Sequence, residues 1–168
     1  MIVKASGSGA SGRSTLLRYM TEEGLAPEIE GEGPRDLFTR EKEAVPRLDA
    51  ELCLGRDDAP VRSEDVVHLI VSLSPEEFEA LGDNEAERRD ALRALGRAAV
   101  RVLGDERGTG ELRFAGVIHR NTPNPHVHLA IARDGERSRL VHLPHSFWQR
   151  SANPEENGFR SRLAARLE

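Results

Sequence analysis

The chain has 168 residues, 38% hydrophobic and 32% charged, the size and composition of one globular domain with its own core. No apolar run reaches the roughly 20 residues of a membrane helix, and Met1-Ile2-Val3-Lys4 lacks the character of a secretory signal, so a cytoplasmic protein with no membrane partner is expected. The single Cys53 excludes an internal disulfide and suits a reducing compartment.

The net charge of −5 argues against indiscriminate binding to a polyanion. That charge is unevenly spread: residues 1–24 carry +1, residues 25–103 carry −8 and residues 104–168 carry +2. A nucleic-acid partner would therefore have to be recognised locally. Leu167-Glu168 closes the chain abruptly, so residues 1–168 are expected to be one domain that can also be the N-terminal part of a longer protein.

In chain order, residues 2–6 read as a short strand and a Gly/Ser run follows. A helix is expected over residues 13–23, with Leu16, Leu17 and Met20 on one arc and Tyr19 at its rim, about 60° from Leu16. Residues 24–36 are rich in Gly, Pro and Glu and read as loop. Residues 38–54 are weakly helical with Pro46 interrupting, and residues 55–64 are another polar connection.

Residues 66–73 form a β-branched strand. Ser74-Pro75-Glu76-Glu77 then starts a helix with a capping Ser and Pro at its first position. The apolar stripe continues through Leu92, Leu95, Ala99, Val102 and Leu103, with a break near Gly82 and a stop at Gly104 and Gly108. Two further strands cover residues 112–119 and 126–132. Another strand lies near residues 138–143 and a terminal helix at 155–167.

Strand, helix, strand, tight turn, strand is a split βαβ arrangement. A right-handed crossover leaves strands 66–73 and 112–119 parallel with a gap, which the return strand 126–132 fills. The expected fold is α+β, a ferredoxin-like antiparallel sheet with helices packed on it.

The most informative stretch is His119-Arg-Asn-Thr-Pro-Asn-Pro-His126-Val-His128, which holds three of the six histidines. Residues i and i+2 of a strand share a face, so His126 and His128 project together. A hairpin pairing symmetrically about the Pro/Asn turn sets His119 opposite His126 and Val117 opposite His128. Three imidazoles then meet, a ligand set that leaves positions open on a divalent ion such as Mg²⁺, Mn²⁺ or Zn²⁺.

A solvated polar hairpin is the simpler alternative, and the third histidine in register favours the metal. Ser72 falls at the same end of the sheet. His68 lies four residues, about 13 Å, back from Ser72 among apolar neighbours and is expected to be a satisfied core histidine outside the cluster. His142 and His145 are open to surface or substrate roles, and Phe147-Trp148 reads as packing before base stacking.

A strand ending in His, a short Asn-Pro loop, then His-hydrophobic-His resembles the HUH endonucleases, and within them the plasmid relaxases. Their His-x-Asp and Asn-x-His-x-His motifs stand here as His119-Arg120-Asn121 and Asn124-Pro125-His126-Val127-His128. One relaxase branch is similar in placing a nucleophilic Tyr in a short N-terminal helix after a Gly/Ser stretch, and Leu17-Arg18-Tyr19-Met20-Thr21 matches that pattern. The strand around His68 also resembles the first sheet strand of the group.

The resemblance spans residues 1 to about 143, with only the histidine motif specific. It implies a metal on His119, His126 and His128, and attack by Tyr19 on a scissile phosphate of single-stranded DNA at a plasmid or integrative-element transfer origin. The products it implies are a 5′-phosphotyrosyl link and a free 3′-OH. Asn121, Asn124 and Ser72 are candidates to orient the ligands, Arg13, Arg18 and Arg120 are candidates for DNA contact, and accessory relaxosome proteins are the further partners. The sequence departs from the family pattern at Asn121, where Asp is usual, and in its net acidity.

Three other readings compete. Residues 7–15, Gly-Ser-Gly-Ala-Ser-Gly-Arg-Ser-Thr, match the P-loop pattern except that Arg13 replaces the phosphate-gripping Lys, so a nucleotide-binding protein is a rival. No later strand ends in an Asp to hold Mg²⁺. A histidine-triad hydrolase fails at Ala130, where its third histidine belongs. A metal-dependent DNA-binding module without catalysis keeps the histidines and leaves Tyr19 idle.

Overall fold

The computed structural model describes residues 1–7, 12–22, 37–55, 66–107, 112–120 and 122–132, together with Phe159 and Leu163. The elements are β1 (Ile2–Gly7), α1 (Gly12–Glu22), α2 (Arg47–Leu54), β2 (Val66–Ser72), α3 (Pro75–Glu79), α4 (Glu85–Arg107), β3 (Arg113–His119) and β4 (His126–Ala132). The four strands form one sheet in the order β1-β2-β4-β3, with every ladder antiparallel. As the crossover argument requires, β4 lies between β2 and β3. No helix among the described residues is long and apolar enough to cross a membrane.

Both faces of the sheet are covered, which is why its strands read as almost continuous apolar runs. Val67, Leu69, Val71, Val127, Leu129 and Ile131 share one cluster with the apolar stripe of α4. Val66, Ala115, Val117, Ala130 and Ala132 face the other way, against Leu16, Leu17 and Met20 of α1 and Ala50 and Leu54 of α2. Alanines on that second face keep the sheet shallow, so α1 can approach closely. The histidines of β3 and β4 belong to this second face by strand parity.

Local signals explain the element ends. Ser74 Oγ accepts from the Glu77 amide at 3.2 Å, and Glu77 Oε2 accepts from the Ser74 amide at 2.9 Å, so the expected capping box is complete. At the start of α4, Asn84 Oδ1 accepts from the Glu87 amide at 3.0 Å, and the Asn84 side-chain amide donates to Glu87 Oε1 at 2.7 Å. Two expectations fail. Residues 38–54 are not one weak helix: 37–45 bend back on themselves, closed by the bridge Leu37↔Val45 and tied to the sheet by Phe38↔Gly116, and Pro46 precedes α2 instead of interrupting it. Gly104 does not stop α4, which runs on to Arg107 with Gly104 buried; tertiary packing outweighs the roughly 1 kcal/mol that Gly costs a helix interior.

Phe38 wedges between α4 and the sheet, almost fully buried and edge-on to Phe114 with ring centres 6.0 Å apart. The space it occupies exists because Gly96 and Gly116 have no side chains: a Cβ on Gly116 would lie 2.5 Å from Phe38 Cζ. Gly116→Ala is therefore expected to destabilise the fold by about 1–3 kcal/mol, read as a lower urea midpoint with unchanged slope. An unchanged midpoint would show that Phe38 can yield.

The expected strand near 138–143, most of the terminal helix, and His142, His145, Phe147 and Trp148 lie outside the described residues. Of that terminal helix, Phe159 and Leu163 are helical and buried in the α4-side core.

Candidate metal centre

The β3–β4 ladder has the register that the hairpin argument gives, His119↔His126 and Val117↔His128. The turn between them is tied down locally. Thr122 Oγ1 donates to the Asn124 carbonyl at 2.9 Å, and the Leu73 amide donates to the Pro125 carbonyl at 3.0 Å, extending the β2–β4 ladder to the edge of the turn. His119 and His128 are each 2% exposed, while His126 is partly open to solvent. Ring centres lie 4.4 Å apart for His119 and His128, 4.8 Å for His126 and His128, and 5.2 Å for His119 and His126.

One ligand nitrogen from each of the three falls within 4.8 Å of the others, so the cluster could hold a metal ion. Nitrogens bound at about 2.1 Å to one ion are at most about 4.2 Å apart, so small ring rotations would close the cradle. Hydrogen bonds already engage one nitrogen of each ring. His119 Nε2 meets the Met20 carbonyl at 2.5 Å, His126 Nδ1 meets the Asn124 carbonyl at 2.9 Å, and His128 Nδ1 meets His68 Nε2 at 2.8 Å.

A carbonyl only accepts, so His119 and His126 donate through those atoms. This leaves His119 Nδ1 and His126 Nε2 as lone-pair nitrogens. On His128 the other atom is Nε2, which is buried and makes no hydrogen bond. Such an atom is costly in a dry core, and a cation is a natural partner for it. Outer hydrogen bonds of this kind are what orient metal-binding imidazoles.

The structure overturns one expectation about this centre. His68 is buried, as expected, but it is not remote: it touches His128. Four residues of β2 separate His68 from Ser72, whose partner is His126, whereas His128 sits two residues further on, opposite Ile70. His68, opposite Ala130, is thus a diagonal cross-strand neighbour of His128, and long side chains bridge that diagonal. Strand parity was the signal available: residues 68, 70 and 72 share the face of 126 and 128.

Tyr19 is 45% exposed, on the outward rim of α1. Its ring stands edge-on to His68 at 6.1 Å and to His128 at 6.3 Å between centres. Met20, the next residue, gives its carbonyl to His119, so one turn of α1 reaches the cluster twice.

The supporting candidates divide. Asn124 contributes its backbone carbonyl, and Ser72 is the cross-strand partner of His126. Arg18 is exposed on α1. Arg120 pairs with Glu85 at the start of α4, so its charge is already matched. Asn121 lies outside the described residues, as does the Arg13 side chain. Of the P-loop-like stretch, residues 8–11 are also outside. Its strand β1 is the edge of an antiparallel sheet, not a member of the parallel series such a loop follows.

No family model, curated protein or solved structure matches the chain. His126→Ala removes the most accessible of the three imidazoles with least disturbance to the core. The substitution is expected to abolish Mn²⁺ or Zn²⁺ binding in calorimetry, and retained affinity would remove His126 as a ligand.

Proposed function

We propose that this chain is a metal-dependent DNA strand transferase of the relaxase type, in which Tyr19 attacks a scissile phosphate of single-stranded DNA. The observation that carries this reading is the position of Tyr19. The only tyrosine of the chain stands edge-on to His128, one residue from the carbonyl that engages His119, and is open to solvent on its other side. A buried phenol could not reach a polymeric substrate, and a fully exposed one would have no fixed place beside the histidines.

The strand order β1-β2-β4-β3, with α4 as the crossover between β2 and β3, supports a ferredoxin-like, HUH-type sheet as the frame. The histidine motif adds the resemblance to relaxases, and the sites for DNA and metal follow from it. A divalent ion on His119, His126 and His128 would draw charge from a non-bridging phosphate oxygen as the reaction proceeds.

The chain's own residues do the rest. The Tyr19 oxygen loses its proton to solvent and forms the new bond to phosphorus. The bond from phosphorus to the 3′ oxygen breaks, and that oxygen takes a proton to become a free 3′-OH. The 5′ strand stays on Tyr19 as a phosphodiester, which conserves the bond for religation. Arg18, exposed beside Tyr19 on α1, would meet the DNA backbone in this reading. The cytoplasm is the compartment this reading requires.

Full-length protein incubated with Mn²⁺ and pooled single-stranded transfer-origin DNA is expected to give an SDS-stable protein–DNA adduct. Tyr19→Phe is expected to abolish it. An adduct that persists in the Phe variant removes Tyr19 from the chemistry, and binding without any adduct reduces the protein to a metal-dependent DNA-binding module.

A further inference from the structure

His68 is buried and lies beside the cluster, yet it is not among the three clustered ligands and the chemistry above does not use it. Its contact with His128 differs in kind from the other outer contacts of the site. His119 and His126 each meet a backbone carbonyl, an obligate acceptor that allows only one position for the ring proton. His128 instead meets a second imidazole, which can donate or accept. This contact by itself therefore leaves the tautomer of His128 open.

The contact is well built for a hydrogen bond. The nitrogens are 2.8 Å apart, the ring centres 5.0 Å, and the planes differ by 18°. The difference between the two distances is about two ring radii, so the rings meet edge to edge in nearly one plane. That is the straight N–H···N geometry, not a face-to-face stack. Both rings are buried, where water does not compete for the bond.

We propose that His68 is a positioning residue for the metal centre: its Nε2 accepts the Nδ1 proton of His128 and so commits the lone pair of His128 Nε2 to the cradle. The inference rests on the reading of His119, His126 and His128 as metal ligands. The opposite assignment, with His68 donating, would place a hydrogen on His128 Nε2 and leave His128 with no lone pair for an ion. Tyr19 stands edge-on to both rings of the pair, so the same contact forms the floor under the proposed nucleophile.

Two measurements on the full chain test this. Ring ¹⁵N shifts of His128 in the metal-free protein report its tautomer directly, and calorimetry with Mn²⁺ reports the cradle. The wild type is expected to show His128 protonated on Nδ1. His68→Phe, which fills the space but accepts nothing, is expected to bind Mn²⁺ about 10–100-fold more weakly. His68→Gln places an accepting oxygen near the position of Nε2 and is expected to restore most of the loss.

A wild-type His128 protonated on Nε2 overturns the proposal, as does a folded Phe variant with wild-type affinity. If the Phe variant does not fold, the wild-type tautomer and the Gln variant decide. His126→Ala separates the two levels. If it binds Mn²⁺ like the wild type, the ligand reading falls and this proposal with it. If it loses binding while His68→Phe does not, only the role of His68 falls.

Discussion

Strand β4 is hydrogen-bonded along both edges and covered on both faces, and that double confinement governs everything near the histidines. A slip of one residue in either ladder would turn Val127, Leu129 and Ile131 away from α4 and push His126 and His128 into the apolar core. The register is thus held by hydrophobic burial on one face, while the polar side chains on the other face profit from it. The imidazoles need no strong attraction to one another to stay together, because the sheet has no low-energy way to separate them.

The charge pattern is less hostile to an anionic partner than the net value implies. Several carboxylates of the acidic middle segment are engaged within the molecule. Glu43 receives Arg97 at 2.8 Å and Arg93 at 3.2 Å, fastening the bent stretch 37–45 to α4, and Glu85 receives Arg120 beside the histidine turn. Exposed pairs of this kind add little stability each. They do hold segments in place, and they leave the exposed rim of α1, with Arg18 and Tyr19, on the same side of the sheet as the histidines.

Much of the fold could be read from the sequence because its decisive contacts are local. The β3–β4 register follows from a short turn with matched strands, the capping box from four consecutive residues, and the crossover from a handedness rule. What could not be read depends on distant partners. Residues 37–45 leave the helical path because Leu37 pairs with Val45 and Phe38 with Gly116, and nothing within a short window announces the second of these. The nearness of His68 to His128 is hidden for a related reason: distance along one strand says little about distance across the diagonal to another. The Met20 carbonyl at His119 has no sequence signal, since any residue at position 20 offers the same atom.

That carbonyl carries a consequence for how the centre could come apart. It belongs to the last turns of α1, where the helix would fray first, and it is the acceptor for a histidine buried in the sheet. If α1 lifted away, Tyr19 would leave its two aromatic neighbours and His119 would lose the partner that sets its ring, in one motion. Docking of a single short helix therefore sets the ring of His119 and the place of Tyr19 together.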